Sequence, residues 1–224
     1  MAKRISEAGA VAAKGQKRPP RDAERTRRAI LAAAEKEFAE KALSGARVDA
    51  IAERAGTNKQ MIYYYFESKE KLYQLVLEHA YGAMRKAERE LNLLDLEPLQ
   101  AIRRLVEFKC DYDFAHPRFI RLLAVENLQN AAFLVRSQEL KAMHDSLIVT
   151  LETILRRGEE RGEIKPGIEP LQLYITISSL SYFYMSNAAT LSVVFNRDDL
   201  RRPDQFALRR THAIEVAMDF VRPR

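Results

Sequence analysis

The chain has 224 residues and a mass of 25.7 kDa, room for one large domain or two unequal ones. Hydrophobic residues make up 47%, ample for a core. Eight glycines, eight prolines and few alternating apolar runs leave little scope for a sheet and point to an all-α fold of about nine helices. A single cysteine excludes a disulfide framework within the chain. No apolar run reaches spanning length and the N-terminus lacks an apolar secretory segment, so a soluble cytoplasmic protein is expected. The net charge is +6, and residues 1–70 hold 15 Lys/Arg against 10 Asp/Glu, so about +5 of it lies there.

Residues 1–20 are rich in Ala, Gly, Lys, Arg and Pro and show no helical face. They read as a flexible basic arm. It either has no role, or lays Lys14, Lys17, Arg18 and Arg21 along a nucleic-acid backbone or into a minor groove. A first helix is predicted over 22–41, with Ile30, Ala34 and Phe38 at i, i+4 and i+8 and Asp22 and Glu24 at its positive end.

Residues 44–69, SGARVDAIAERAGTNKQMIYYYFESK, read as a helix-turn-helix leading into a further helix. Ile51, Ala52 and Ala55 share a face of a short helix. Gly56 stands where a sharp turn requires positive φ, and Asn58 is placed to cap the next helix. Ile62 and Tyr65 face back toward Ile51 and Ala55, and Ala52 must stay small where the two helices cross. The opposite face carries Lys59, Gln60, Tyr63 and Tyr64: a cation, an amide and two phenols, suited to phosphates and base edges in a major groove. Beside such a motif, the basic excess reads as an electrostatic footprint for DNA rather than only a solvated surface.

The stretch AERAGTNKQMIYYYFESKEKLY, with the preceding TRRAILAAAEKEFAEKALSGARVDAIA, resembles the DNA-binding region of the TetR/AcrR family of transcriptional regulators, the match covering about residues 24–75. The resemblance implies that Gln60, Met61 and Tyr63 face base edges. It also implies that Thr26, Tyr64 and Lys69 hold phosphates, Lys69 at the free N–H groups that open the fourth helix, and the Arg47 guanidinium is expected to join them by its own chemistry. Two positions depart from the pattern. Ala42 stands where many relatives have glycine, and Arg47 where many have a capping threonine. Arg47 has no acceptor and cannot cap a helix N-terminus.

The fourth helix is predicted over about 68–91, with Leu72, Leu75, Val76, His79 and Ala83 as its apolar stripe. The fifth, 98–115, is apolar on nearly all sides and is predicted to be buried all round. His116-Pro117 ends it and starts a sixth, PRFIRLLAVENLQ. A long seventh spans 137–161, an eighth 169–190 and a ninth 203–221. The last two are more apolar than one chain needs. They either close the monomer core or, as in the family, form a four-helix interface with a symmetry mate. Ala188 and Ala217 are expected in that interface. FIRLLAVENLQNAAFL and SYFYMSNAATLSVVFNRDDL also resemble the pyrimidine-utilisation repressor branch, but without tryptophan no indole-stacking effector site carries over.

No enzyme constellation is present. His79, His116, His144 and His212 lack metal-ligand spacing, Cys110 reads as core packing, and no phosphate-binding glycine loop occurs. Neither a cofactor nor a metal is expected. The division expected is an arm over 1–20, a DNA-binding head over 21–69 and a ligand-binding, dimerising body over 70–224. Polar groups at His79, Asn127, His144, Tyr174, Ser178 and Tyr182 lie among apolar helix faces. Singly each reads as a satisfied core or interface residue; together they suggest a pocket for a small molecule. The expected function is a homodimeric, ligand-responsive repressor on an inverted-repeat operator in double-stranded DNA, the rival being an architectural DNA-binding protein without an effector.

Overall fold

The computed structural model describes residues 20–223, except for the side chains of 20, 21 and 139–145. The described chain is helical throughout: α1 Pro20–Gly45, α2 Val48–Arg54, α3 Lys59–Phe66, α4 Lys69–Arg89, α5 Pro98–Ala115, α6 Pro117–Leu128, α7 Gln138–Glu160, α8 Pro170–Val194 and α9 Pro203–Val221. Short 3-10 turns at Leu93–Asp95 and Leu134–Arg136 follow α4 and α6. None of these helices is long and apolar enough to cross a membrane.

Proline opens α5, α6, α8 and α9, where its missing N–H costs nothing and its fixed φ suits the first turn. The first helix likewise starts at Pro20, and it is interrupted at Ala42, which holds φ 55 and ψ 178. That backbone region is one that glycine occupies without strain. The departure noted at this position therefore marks the place where the chain leaves the helix.

Two larger apolar clusters organise the molecule. One joins α1–α3 to the first half of α4 through Ile30, Phe38, Ile51, Ile62, Phe66 and Tyr73. Leu122 of α6 completes it, so this core reaches beyond the helix-turn-helix. The other gathers α5, α7, α8 and α9 around Ile102, Leu105, Leu151, Ile154, Ile177 and Ala213. A third, aromatic cluster of Tyr81, Met84, Tyr112, Phe119 and Ile120 joins α4, α5 and α6.

Three expectations are corrected here. The fifth helix is central, packing on α8 and α9, but it is not buried all round: Gln100, Arg103, Arg104 and Asp111 keep a side in solvent. The buried side of α4 is Tyr73, Leu77, Tyr81, Met84 and Glu88 with Leu72 and Val76, so the stripe runs past His79, which is exposed. Ala188 and Ala217 are each 1% exposed and pack inside the chain rather than on an open face.

Candidate nucleic-acid interface and body pocket

The helix-turn-helix is held by local chemistry. Gly56 takes φ +63 in the turn, where its N–H donates to the Glu53 carbonyl and that of Thr57 to Ala52. The Asn58 side chain accepts from the Met61 N–H at 3.0 Å, and the Ser68 hydroxyl accepts from the Lys71 N–H at 3.0 Å. At the start of α2, Arg47 offers no side-chain cap. Glu37, buried on α1, accepts the Arg47 N–H at 3.3 Å and lies 3.5 Å from the Arg54 guanidinium. One carboxylate thus ties both ends of α2 to α1. The sequence reading missed Glu37, although it falls beside Phe38 on the inner face of the first helix.

The outer face of α3 is polar and open. Lys59, Gln60, Tyr63 and Tyr64 are exposed, Tyr64 at 77%, while Met61 is half-buried. Arg47, Lys59, Tyr63 and Lys69 converge on one notch of about 360 Å³ between the start of α2, α3 and the start of α4. Such a cluster of two lysines, an arginine and a phenol is chemically matched to phosphate oxygens. Two of these lysines already have partners. Lys59 lies 3.5 Å from Asp49, and the Lys69 ammonium donates to the Ala46 carbonyl at 3.2 Å, leaving two further N–H groups. Thr26 borders a separate notch at the Gly56 turn, and its hydroxyl is donated to the Asp22 carbonyl at 2.8 Å. A phosphate must compete for that proton or use a neighbouring donor.

The six body residues singled out from sequence do not gather into one site. His79 is exposed, in a shallow depression between α1, α4 and the α5–α6 junction, together with His116. His116 stacks on Tyr112 with ring centroids 3.9 Å apart and hydrogen-bonds through Nδ1 to the Tyr112 carbonyl, a structural role. Asn127 is exposed at the end of α6, and the His144 side chain lies outside the described residues. Tyr174, Ser178 and Tyr182, spaced four apart, do share one half-buried face of α8.

That face meets a buried polar cluster. Arg85 of α4 is 2% exposed; its guanidinium pairs with Glu88 and donates to the Tyr174 hydroxyl at 2.8 Å. Burial works against its charge, but Tyr174 and Glu88 more than offset this and hold the guanidinium protonated. Lys109 of α5 sits 5.8 Å from the Tyr174 ring centroid, and Arg85 5.3 Å. One turn on, Asp113 lies buried near Ser181. Burial raises the pKa of its carboxyl, and the Lys109 charge offsets this only in part. Cys110 is a core thiol, pushed up to about 11 by burial and thus unreactive. Glu126 of α6 spends one oxygen on the amides of Phe133 and Leu134, at 3.3 and 3.2 Å. A cavity of about 390 Å³ opens on Arg85 and Glu88 from between α4, the Leu93–Asp95 turn and α7.

The sequence reading missed all five buried charges found among the described residues of the body. The available signal was phase. Arg85 and Glu88 continue the Leu77–Tyr81–Met84 stripe, and Glu126 continues Phe119–Leu122. Among the described residues no group of three His, Cys, Asp or Glu side chains is placed to hold a metal ion.

Residues 30–76 match the family model described as bacterial regulatory proteins, tetR family, and residues 98–217 match the tetracyclin repressor-like C-terminal domain. The chain is 43% identical to the HTH-type transcriptional repressor NicS of Pseudomonas putida, over 76% of this chain and 80% of that protein. It is 32% identical to the HTH-type transcriptional regulator RutR of Escherichia coli K12, over 75% and 77%. Among solved structures it is similar to a putative transcriptional regulator, SCO4942 of Streptomyces coelicolor. The TM-score is 0.66 and the identity 26%, over 88% of this chain and 99% of that one. A capped α3 with an open polar face, a helical body behind it and relatives alike over three quarters of the chain lead to one conclusion: the chain belongs to the TetR family of bacterial transcriptional regulators.

Proposed function

We propose that the protein is a homodimeric repressor that binds an inverted-repeat operator through α3 and is released by a small molecule taken up in its body. Residues 21–69 act as the DNA-binding head and 70–224 as the ligand-binding and dimerising body. The observation that carries the reading is the pairing of two faces on one chain. The outer side of α3 presents Lys59, Gln60, Tyr63 and Tyr64 above a basic notch, while α8 and α9 leave Leu171, Ile175, Phe183, Leu208 and Val216 exposed. Apolar side chains in that number on adjoining helices suit a second copy of the chain. Two copies related by a two-fold axis would place two α3 helices on half-sites about one helical turn, or a multiple of it, apart.

The names of the relatives support a regulator, and the buried polar cluster around Tyr174 supports an effector over a purely architectural role, for which such a cluster is a needless cost. The test is selection of an operator from a randomised duplex pool by the full chain. Fluorescence anisotropy then follows, with and without the low-molecular-mass fraction of a bacterial extract. A selected inverted repeat, released by that fraction, supports the reading; binding without sequence preference refutes it. Within the same assay Lys69→Ala weakens all duplexes alike and lowers the salt slope by about one. Gln60→Ala relaxes preference at one position by about 1–3 kcal/mol.

A further inference from the structure

Of the two buried cations among the described residues of the body, Lys109 is the one without a counter-charge in contact. Arg85 has Glu88, and Glu126 has two backbone amides. Lys109 is 5% exposed, and among the described residues its ammonium makes neither a hydrogen bond nor an ion pair. Asp113, one turn on along α5, is not within ion-pair distance, and its burial favours the neutral acid. The contact Lys109 does make is with the Tyr174 ring, and a ring at 5.8 Å offsets only part of the cost of burying an ammonium. Ser178, one turn beyond Tyr174 on the same face of α8, has a buried hydroxyl without a partner, and so does the Arg85 Nε–H. Three unsatisfied donors therefore belong to residues grouped about Tyr174, two of them cationic. Among the described residues of the body, the buried carboxylate oxygens without a hydrogen-bond partner are one each of Glu88, Asp113 and Glu126. Asp113 becomes a fourth donor when protonated.

We propose that the effector is an organic carboxylate with a flat apolar body, its carboxylate held by the Lys109 ammonium and the Ser178 hydroxyl beside Tyr174. This rests on the effector reading above and adds its chemical class. An anion supplies what the cluster lacks: a counter-charge for Lys109 and an acceptor for a hydroxyl that otherwise stays unpaired. Close by, Tyr81, Tyr112 and Phe119, with Phe108 and Tyr182 packed on them, offer ring surface for the rest of the molecule. A neutral ligand of the same shape would leave the ammonium as it stands. The charge therefore sets the selectivity.

The test compares benzoate with benzamide, which share a shape and differ in charge, by thermal unfolding and titration calorimetry on the full chain. Benzoate is expected to raise the unfolding midpoint with concentration and to bind at least tenfold more tightly than benzamide. In Lys109→Met that tenfold preference disappears, while without ligand the midpoint is unchanged or rises, because a buried charge has been replaced by an apolar chain of similar length. Ser178→Ala, which removes a single hydroxyl, weakens benzoate several-fold with the fold intact, and decides the matter if Lys109→Met does not fold. Benzamide binding as tightly as benzoate, no response to benzoate at tens of millimolar, or an unaltered response in both variants overturns the proposal. So does a lowered ligand-free midpoint in Lys109→Met together with unaltered benzoate binding in Ser178→Ala, which makes the lysine a structural residue. Release of the operator by the bacterial extract, with no benzoate binding, refutes the class and leaves the effector reading standing.

Discussion

Replacing Ala42 by glycine should stabilise the protein, although it removes a methyl group from a well-ordered turn. Ala42 lies where α1 gives way to the loop before α2, at φ 55 and ψ 178, and its carbonyl accepts the Ala46 N–H at 3.1 Å. In that region the Cβ of an L-residue is crowded by its own backbone, at a cost of about 1–3 kcal/mol that glycine does not incur. Glycine returns about 0.5–1 kcal/mol of this through the extra freedom of its unfolded chain. The difference is a gain of about 0–2.5 kcal/mol, centred near 1 kcal/mol, which is about 2–4 °C in unfolding midpoint for a chain of this size. Thermal and denaturant unfolding at one fixed protein concentration measures it, with operator affinity as a control that stays within about twofold, since no contact of α3 changes. Ala42→Val, β-branched at positive φ, moves the midpoint the other way. If glycine leaves the midpoint unchanged or lowers it, residue 42 is not held in that conformation and the strain argument fails.

Two further outcomes follow from single residues. Gly158→Ala in α7 should destabilise by about 1–2 kcal/mol, because a Cβ there would lie 2.5 Å from the Ile164 Cδ1 and 2.9 Å from its Cβ, and overpacking outweighs the helix propensity that alanine gains; a raised denaturation midpoint would contradict that packing. Phe183→Arg, at a side chain 56% exposed on α8, should weaken self-association by more than tenfold, since burying a phenylalanine is worth about 1.5–3 kcal/mol and the charge adds a penalty; sedimentation velocity showing an unchanged dimer would place the interface elsewhere.

The head was legible in the sequence because its geometry is written in turn chemistry. Gly56 and Asn58 do at the backbone what their types imply, and the gap left by Arg47 was visible as a missing acceptor. What fills the gap was not, since Glu37 is ten residues away on another helix, and its place beside Phe38 on the inner face does not say what it bonds. The body was legible as elements, with α5 falling on Pro98–Ala115 as read, but not as a site. Its stripe on α4 was read one register off, which brought His79 inward and left Arg85 and Glu88 unseen. Charged residues on a helix default to solvent in any reading of periodicity. The ones that matter here are the exceptions: their phase with an apolar stripe is the only sign in the sequence, and tertiary packing shows which of them are buried. Choosing Ala188 and Ala217 for the interface failed for the same reason, since small residues let helices approach within a chain as readily as between two.

The route by which the body reaches the DNA face runs along one helix. Tyr73 and Arg85 sit on α4 twelve residues apart, about 18 Å of helix. Tyr73 stands between Phe38 of α1 and Phe133 beyond α6, ring centroids 5.0 Å from each, so the head core is walled on one side by a segment that Glu126 fixes to α6. Arg85 is fastened to α8 through the Tyr174 hydroxyl. The proposed carboxylate, by drawing Lys109 and Ser178 together, would shift α8 and, through Tyr174 and Arg85, pull on the far end of the helix whose near end packs under α1. It alters DNA affinity only so far as it prefers one position of α4 over the other, and a hundredfold effect needs about 2.7 kcal/mol of such preference. A single charge-assisted hydrogen bond made in one state and lost in the other is worth about 1.5–3 kcal/mol, so the contact between one carboxylate and Lys109 is of the size the switch requires.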